Sequence, residues 1–381
     1  MSARSSSPMV QSVPVYAPGV NLIGFIRAEM GLGEACRQLA GAMDQVGVPF
    51  GILNYPGAGA ARHGDMSWAH RETQEAGYRV NVFHMNPDSL QYARQYFGQE
   101  LFDHRYNIGY WAWELPEFPD EYVPAFSLVH EVWVPSQFIA DSVAAKSPVP
   151  VIRIPHAVNM DPSIPADRSR FGLPKRRFLF LSMYDPNSFE QRKNPLGAIR
   201  AFKRAFAPDR NDVGLVVKVS YPNEWELAKL QQEKGDWPNI IILAETMTRD
   251  DVLCLMQSVD CFVSLHRSEG FGLVIAEMMA LGKPVIATNW SGNTDFMNET
   301  NSCAVGYQLV QIGEDIGPYK AYQTWAEPDL DHAAYFMKLL VSDPDYSRMI
   351  ASLGQESVRR NLTPASVGTM IRNRLSQLGF L

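Results

Sequence analysis

The sequence predicts an α/β protein of two domains, each built on a parallel sheet covered by helices. First, residues 177–288 alternate short apolar, β-branched runs with helical segments, the pattern of a sheet buried on both faces. Second, residues 15–158 repeat that alternation less regularly, opening with an apolar strand, a glycine loop and an amphipathic helix. Third, between them lies 161–177, DPSIPADRSRFGLPKRR, rich in proline and charge, which reads as an interdomain linker. The expected division is a disordered tail at 1–14, a first domain at 15–165, a second at 166–363 and a closing helix at 364–381. A chain of 381 residues is long enough for two such cores.

Composition narrows the function. Hydrophobic residues make up 46% and charged residues 20%, ordinary for a soluble globular protein. A net charge of -7 argues against nucleic acid as the main partner. Cys36, Cys254, Cys261 and Cys303 are widely spaced, form no CxxC and lie mostly in apolar runs, so they read as reduced core residues of a cytoplasmic protein. No stretch is long enough for a membrane span, and the Ser-rich head lacks the apolar core of a signal peptide.

In the first half, the strand 20–26 leads into a G-x-G at Gly31 and Gly33, followed by the helix. Cys36 stands where a dinucleotide fingerprint needs its third glycine, which weakens a dehydrogenase reading. The two glycines serve either a close approach of backbone to ligand or a simple helix entry. Strands follow at 49–55 and 78–85, the second ending on His84, which either lines a crevice or is structural. The run 106–118 carries a strand into Trp111, Trp113 and Glu114, putting aromatics and one acid at a strand's C-terminal edge. Such rings suit either sugar faces or a core. A helix, a strand at 132–135, a helix capped by Ser136 and a strand at 149–158 complete this sheet.

In the second half, strands are expected at 177–184, 213–219, 239–244, 259–266 and 285–288, with helices near 195–207, 223–234, 248–258 and 272–281. Pro195 suits the first turn of its helix, with Leu196, Ile199, Phe202 and Phe206 on the buried face. Arg192 and Lys193 immediately precede it. Cations at a helix N-terminus are misplaced by about 0.3–1 kcal/mol each unless an anion joins them, which suggests a phosphate site. Lys218 interrupts the apolar strand GLVVKVS and needs a partner, either a ligand phosphate or a nearby acid. The acids of the two D-x-D pairs, Asp329/Asp331 and Asp343/Asp345, fall at helix starts and read as capping and first-turn residues, not metal ligands.

The most informative stretch is 259–293. A strand ends near His266 in the loop Arg267-Ser268-Glu269-Gly270, and a helix begins near Gly272 and stops at Gly282-Lys283-Pro284. The amides of Phe271 to Val274 form an anion site at that helix N-terminus. Glu269 precedes it, and Glu277 lies about 7–8 Å along the helix axis. Carboxylates repel phosphate, so the arrangement suits an extended ligand: a diphosphate on the amides with hydroxyl-bearing groups at either end, as in a nucleotide sugar. The loop Trp290–Asn293 ends the following strand and lines the same pocket.

The Glu269-x7-Glu277 spacing in EGFGLVIAE resembles the signature of retaining glycosyltransferases of family 4, which have the GT-B fold. That resemblance implies two facing Rossmann-like domains and a last helix, Pro364–Gln377, that crosses back onto the first. It implies that Glu269 contacts the donor sugar and Glu277 the ribose, with the diphosphate on Gly270, Phe271, Gly272, Leu273 and Val274. Lys193 matches the diphosphate-binding Lys of the RK-N step. Relatives carry an Arg several residues upstream, where this chain has Asp185, Asn187 and Ser188, so Arg192 is a partial substitute. Gly33, Lys218 and Met247 join the donor site, Met247 lying in the loop where relatives hold the base by backbone. Glu114 stands where many relatives carry a His, which makes Glu269, Lys193 and Glu114 the expected catalytic group. The sugar and acceptor side is drawn from Gly31, His84, Trp113, His266 and Asn293.

The resemblance thus implies a metal-independent, cofactor-free retaining hexosyltransferase, acting front-face with the leaving phosphate as base. The donor is a UDP- or GDP-linked sugar, and the acceptor a saccharide or lipid-linked saccharide, as in polysaccharide or glycan biosynthesis. A lipid-linked acceptor would bring the chain, as a peripheral protein, to the cytoplasmic face of a membrane. Two readings stay open beside it: another GT-B enzyme, such as a nucleotide-sugar epimerase or a phosphorylase, and a non-catalytic nucleotide-sugar binding module.

Overall fold

The computed structural model describes residues 15–57, 59, 61–160 and 163–381; the tail expected at 1–14 lies outside them. Two parallel six-stranded sheets organise the chain. The first contains β1 (Ala17–Gly24), β2 (Phe50–Asn54), β3 (Tyr78–His84), β4 (Tyr106–Tyr110), β5 (Glu131–Val134) and β6 (Val151–Arg153), in the order β2-β1-β3-β4-β5-β6. The second contains β7 (Phe178–Tyr184), β8 (Val213–Val219), β9 (Ile240–Leu243), β10 (Cys261–Ser264), β11 (Val285–Thr288) and β12 (Cys303–Val305), in the order β12-β11-β10-β7-β8-β9. An antiparallel pair, β13 (Tyr307–Gln311) and β14 (Thr324–Pro328), stands apart.

The crossovers are helices: α1 (Gly31–Gln45), α2 (Pro87–Phe97) and α3 (Gln137–Ala144) in the first half, then α4 (Glu190–Lys193), α5 (Pro195–Ala205), α6 (Glu224–Lys234), α7 (Arg249–Ser258) and α8 (Leu273–Ala280). Three helices close the chain: α9 (Leu330–Ser342), α10 (Pro344–Asn361) and α11 (Pro364–Gln377). Alternate residues of each strand feed opposite cores, as the pleat requires. Leu22 and Val82 pack on one face of the first sheet, Ile23 and Phe83 on the other. Phe180 and Val217 face one side of the second sheet, Leu181 and Val216 the other. Both faces are covered, which explains why these strands are apolar nearly throughout.

The last helix leaves the second sheet and docks on the first. Val367, Ile371 and Leu375 of α11 are fully buried in the same cluster as Leu39 and Met43 of α1. Gly368 permits that approach, since a Cβ there would lie 2.1 Å from the Ala42 carbonyl oxygen. Arg374 pairs with Glu131, a carboxylate with no exposed surface that also accepts from Trp133 Nε1 at 2.5 Å.

Several local expectations are corrected. The strand expected across 106–118 ends at Tyr110, and that expected across 149–158 is only Val151–Arg153. Residues 120–128 form a 3-10 segment instead of an α-helix, with Pro124 inside it removing a donor. The hairpin β13–β14 was not foreseen, because β13 is largely exposed and shows no clean alternation. The D-x-D acids do cap helices: Asp329 accepts from the amides of Asp331 and His332 at the start of α9, and Asp343 accepts from Tyr346 N at the start of α10. All four cysteines are free and buried.

Candidate active site

The C-terminal ends of the two sheets face one another across a cleft of about 580 Å³. Its first-domain wall includes Gly31, Glu34, Glu114 and His156; its second-domain wall includes Arg192, Lys193, Lys218, Met247 and the turn Glu269 to Val274. The walls are tied directly. Ser136 Oγ donates to the Gly270 carbonyl at 2.6 Å, Gln137 N donates to Asp295 Oδ2 at 2.9 Å, and Ser268 Oγ donates to the Glu114 carbonyl.

At the floor of the second wall, α8 is entered through Gly272, whose φ of +87° lies in the left-handed region that only glycine adopts at no cost. No side chain caps this helix, so its N-terminal turn opens on the cleft with its dipole unopposed. Glu269 sits just before that turn and Glu277 within the helix, and both line the cleft.

Arg192 and Lys193 are placed differently from expectation. They end the single turn α4, and Asn194, left-handed at φ 52°, caps α5 by accepting from Gly197 N at 3.1 Å. The cations therefore occupy a helix C-terminus, where the dipole favours them, and the anion that joins them belongs to the chain itself. Lys193 Nζ donates to Glu269 Oε1 at 2.5 Å, and Arg192 Nη1 donates to Glu269 Oε2 at 3.3 Å and to the Ser268 carbonyl at 2.8 Å. Arg192 Nη2 also lies 3.9 Å from Glu114 Oε1, and Glu114 Oε2 accepts from the Tyr319 hydroxyl at 3.1 Å. The misplaced-cation reasoning thus does not by itself require a phosphate, although both cations reach the cleft.

Burial works against the Glu269 carboxylate, but Lys193, then Arg192 and His266, outweigh it and hold its pKa at about 2. Burial lowers the Lys193 ammonium in turn, opposed by Glu269. For Arg192 burial is again the largest effect and again loses, to Tyr319, Glu114 and Glu269, so the guanidinium stays charged. Lys218 is 4% exposed and donates only to Ser220 Oγ, with no carboxylate in ion-pair range among the described residues. Burial lowers its pKa, opposed at longer range by Asp185 and Glu245.

Glu277 is 2% exposed and paired with Arg249, which also reaches Glu34 Oε1 of α1 at 3.3 Å. One guanidinium thus joins carboxylates of both domains. Burial raises the Glu277 carboxyl, Arg249 opposes that rise, and Glu34 adds to it.

Of the residues expected for the sugar and acceptor, together with Glu114 of the expected catalytic group and Gly33 of the expected donor site, the structure brings only some to the cleft. Gly31 and Glu114 line the cleft. Gly33 does not: a Cβ there would lie 2.0 Å from the Ala28 carbonyl oxygen, so its smallness serves the packing of α1 on its own entry loop. Trp113 is 2% exposed, with Nε1 donating to the Glu117 carbonyl at 2.8 Å, and belongs to the core. Beyond β4 the alternation puts Ala112 and Glu114 toward the cleft and Trp111 and Trp113 away from it. His84 is sealed at 1% exposure, stacked on Tyr110 at 4.6 Å. His266 and Asn293 are also fully buried, His266 Nε2 meeting Asn293 Oδ1 at 3.0 Å, and they brace the loops behind the pocket instead of lining it.

Sequence reading missed Glu34, Arg249, His156 and Tyr319. Glu34 and Arg249 left one local signal, each standing in the first turn of a helix that follows a strand. Tyr319 arrives on the unforeseen hairpin, packed 5.6 Å from Trp113 and 5.2 Å from Phe189. Among the described residues no group of three or more His, Cys, Asp or Glu converges as a metal site, and no helix is long and apolar enough to cross a membrane.

Residues 163–308 match the family model described as glycosyl transferases group 1. No curated protein matches the chain in sequence. Among solved structures, sucrose-phosphate synthase from Thermosynechococcus elongatus is similar at 14% identity and a TM-score of 0.68, over 94% of this chain and 99% of that one. Anabaena HepE in complex with UDP and glucose is similar at 14% identity and a TM-score of 0.66, over 94% of this chain and 100% of that one. A glycosyltransferase from Rickettsia africae is similar at 13% identity and a TM-score of 0.66, over 95% and 99%. The fold is thus the GT-B type of these glycosyltransferase structures.

Proposed function

We propose that the protein is a retaining, metal-independent glycosyltransferase that moves a hexose from a UDP- or GDP-linked donor to a hydroxyl of a saccharide or lipid-linked saccharide. The observation that carries this reading is the donor half of the cleft: an uncapped helix N-terminus with Glu269 before it, Glu277 within it, and Arg192, Lys193 and Lys218 alongside. The match of residues 163–308 to the group 1 glycosyltransferase model supports it, as does HepE, whose complexes contain UDP, glucose and UDP-glucose.

The acceptor hydroxyl oxygen bonds to the anomeric carbon as the carbon–oxygen bond to the diphosphate breaks. The bonding pair leaves with the diphosphate, and the hydroxyl proton passes to the departing phosphate oxygen. Arg192, Lys193, Lys218 and the amides of 271–274 stabilise the charge that develops there. Glu269 orients the sugar. A carboxylate held at about 2 is a weak base and a weak nucleophile, so it suits that part better than the covalent role of a retaining glycosidase. Polysaccharide or glycan biosynthesis is the setting this chemistry fits, at the cytoplasmic face of a membrane when the acceptor is lipid-linked.

The test is turnover. UDP-glucose and GDP-mannose are incubated with the protein and a panel of saccharides, and the products are read by proton NMR. The expected product carries the donor's anomeric configuration with release of nucleoside diphosphate. Inverted product would overturn retention, and binding without transfer or hydrolysis would leave only a sugar-nucleotide binding module.

A further inference from the structure

His156, just beyond β6, lines the first-domain wall of the same cleft. Its surroundings fix where its proton sits. The hydroxyl of Tyr110, at the end of β4, lies 2.7 Å from the Ile154 carbonyl oxygen and 3.1 Å from His156 Nδ1. A phenol has a single proton, and a backbone carbonyl can only accept. The proton therefore goes to Ile154 O; otherwise two oxygens would face each other at 2.7 Å with no hydrogen between them. Tyr110 Oη is left as the acceptor for His156, so Nδ1 is the imidazole's donor and Nε2 keeps a lone pair.

That lone pair is unused within the protein. Nε2 has no hydrogen-bond partner among the described residues, yet it is not sealed off, in contrast to both ring nitrogens of His84. The ring is held in place, stacked on Tyr110 at 5.5 Å and packed edge-on to Phe271 at 5.0 Å, at an overall exposure of 8%. Phe271 belongs to the turn proposed to hold the diphosphate, so His156 faces the donor turn from the opposite domain. Burial, reinforced by His84, depresses its pKa to about 3 and keeps the ring neutral. A neutral imidazole lone pair repels phosphate oxygens and calls for a hydroxyl or N–H donor.

We propose that His156 Nε2 accepts a hydrogen bond from a hydroxyl of the saccharide bound in the cleft, with Tyr110 as the positioning residue that fixes its tautomer. This rests on the glycosyltransferase reading and gives that reading a residue on the first-domain wall that recognises hydroxyls.

The experiment is side-chain nitrogen NMR on the full chain, with the His156→Gln variant used to assign the signal, followed by calorimetry. Without ligand, Nδ1 should carry the proton and Nε2 should give the signal of an unprotonated nitrogen; in Tyr110→Phe that preference should be lost. Glucose, galactose, mannose and N-acetylglucosamine are then titrated with and without UDP, GDP or ADP. At least one sugar should move the Nε2 signal toward a hydrogen-bonded position, and His156→Leu should weaken that sugar by about tenfold, with nucleotide affinity held within about twofold. His156→Gln, which keeps an acceptor, should recover part of the loss. A proton on Nε2 in the wild type, a signal unmoved by every sugar, or unchanged sugar affinity in His156→Leu would each overturn the proposal. Failure of all three nucleotides to bind would sink the donor reading separately, and the sugar titration without nucleotide would still decide His156.

Discussion

Lys193 Nζ lies 2.5 Å from Glu269 Oε1, so the cation proposed for the departing diphosphate is held by the carboxylate proposed for the donor sugar. The pair couples the two ends of the chemistry, because a ligand that draws Lys193 toward phosphate also loosens Glu269. Lys193→Met should lower kcat by on the order of 10²–10³, with a smaller change in donor KM, since the missing charge matters most as the diphosphate departs. Steady-state kinetics read the split. An equal loss in Lys193→Met and Lys193→Arg would show that position matters more than charge.

Arg249 carries two carboxylates, Glu277 at 2% exposure and Glu34 across the cleft. Arg249→Met leaves Glu277 buried without its counter-charge and should cost on the order of 3–5 kcal/mol in chemical denaturation. Arg249→Met with Glu277→Gln should recover much of that loss, because the uncompensated charge is gone. A double variant as unstable as the single would mean that the guanidinium stabilises through its packing instead.

Acid stability should fall in two stages. His84 and His156 have folded pKa values depressed by burial to about 4 and about 3, against an ordinary 6.5. The unfolded chain therefore takes up their protons first, and stability is lost as pH drops from about 6.5 toward 4 for His84 and toward 3 for His156. Glu269, depressed from 4.5 to about 2, adds a second loss between those values, because its ion pairs are present only while it is ionised. His84→Phe should flatten the upper stage and leave stability equal or higher by about 1 kcal/mol, since both His84 nitrogens are buried without partners. Denaturation midpoints across about pH 2–7 measure both stages. A His84→Phe profile that overlays the wild type would refute the assignment of the upper one.

The return of α11 to the first domain rests on Arg374 and Glu131 as well as on its apolar face. Arg374→Leu strands a fully buried carboxylate and should cost about 3–5 kcal/mol, with Glu131→Gln in the same chain restoring part of it. Thermal unfolding followed by circular dichroism is the readout, and a loss below about 1 kcal/mol would place that end of the helix outside the cooperative core.

The parts of the site legible in sequence were those carried by one local segment. Glu269, Glu277 and the helix between them are fixed by a nine-residue stretch, and Lys193 by the step before a proline-started helix. What escaped depends on distant segments meeting. Arg249 is one of several first-turn charges until α1 brings Glu34 to it, and Tyr319 needs a hairpin whose exposed strand shows no periodicity. Trp113 and His84 were drawn toward the site for a different reason. At a strand end the face of a side chain turns on a one-residue register, and Glu114, not Trp113, took the cleft side. The alternation that defined both sheets was strong because each strand is apolar on both faces, whereas the short β6 and the 3-10 segment at 120–128 left only weak, aperiodic traces.

The central claim is that a nucleoside diphosphate lies between Glu269 and Glu277, and calorimetric titration of UDP, GDP and ADP into wild type and Glu277→Gln tests it most directly. One nucleotide should bind the wild type in the micromolar range and lose about tenfold or more in the variant, through the missing contacts to ribose hydroxyls. No binding of any of the three, or the same affinity in both proteins, would contradict it.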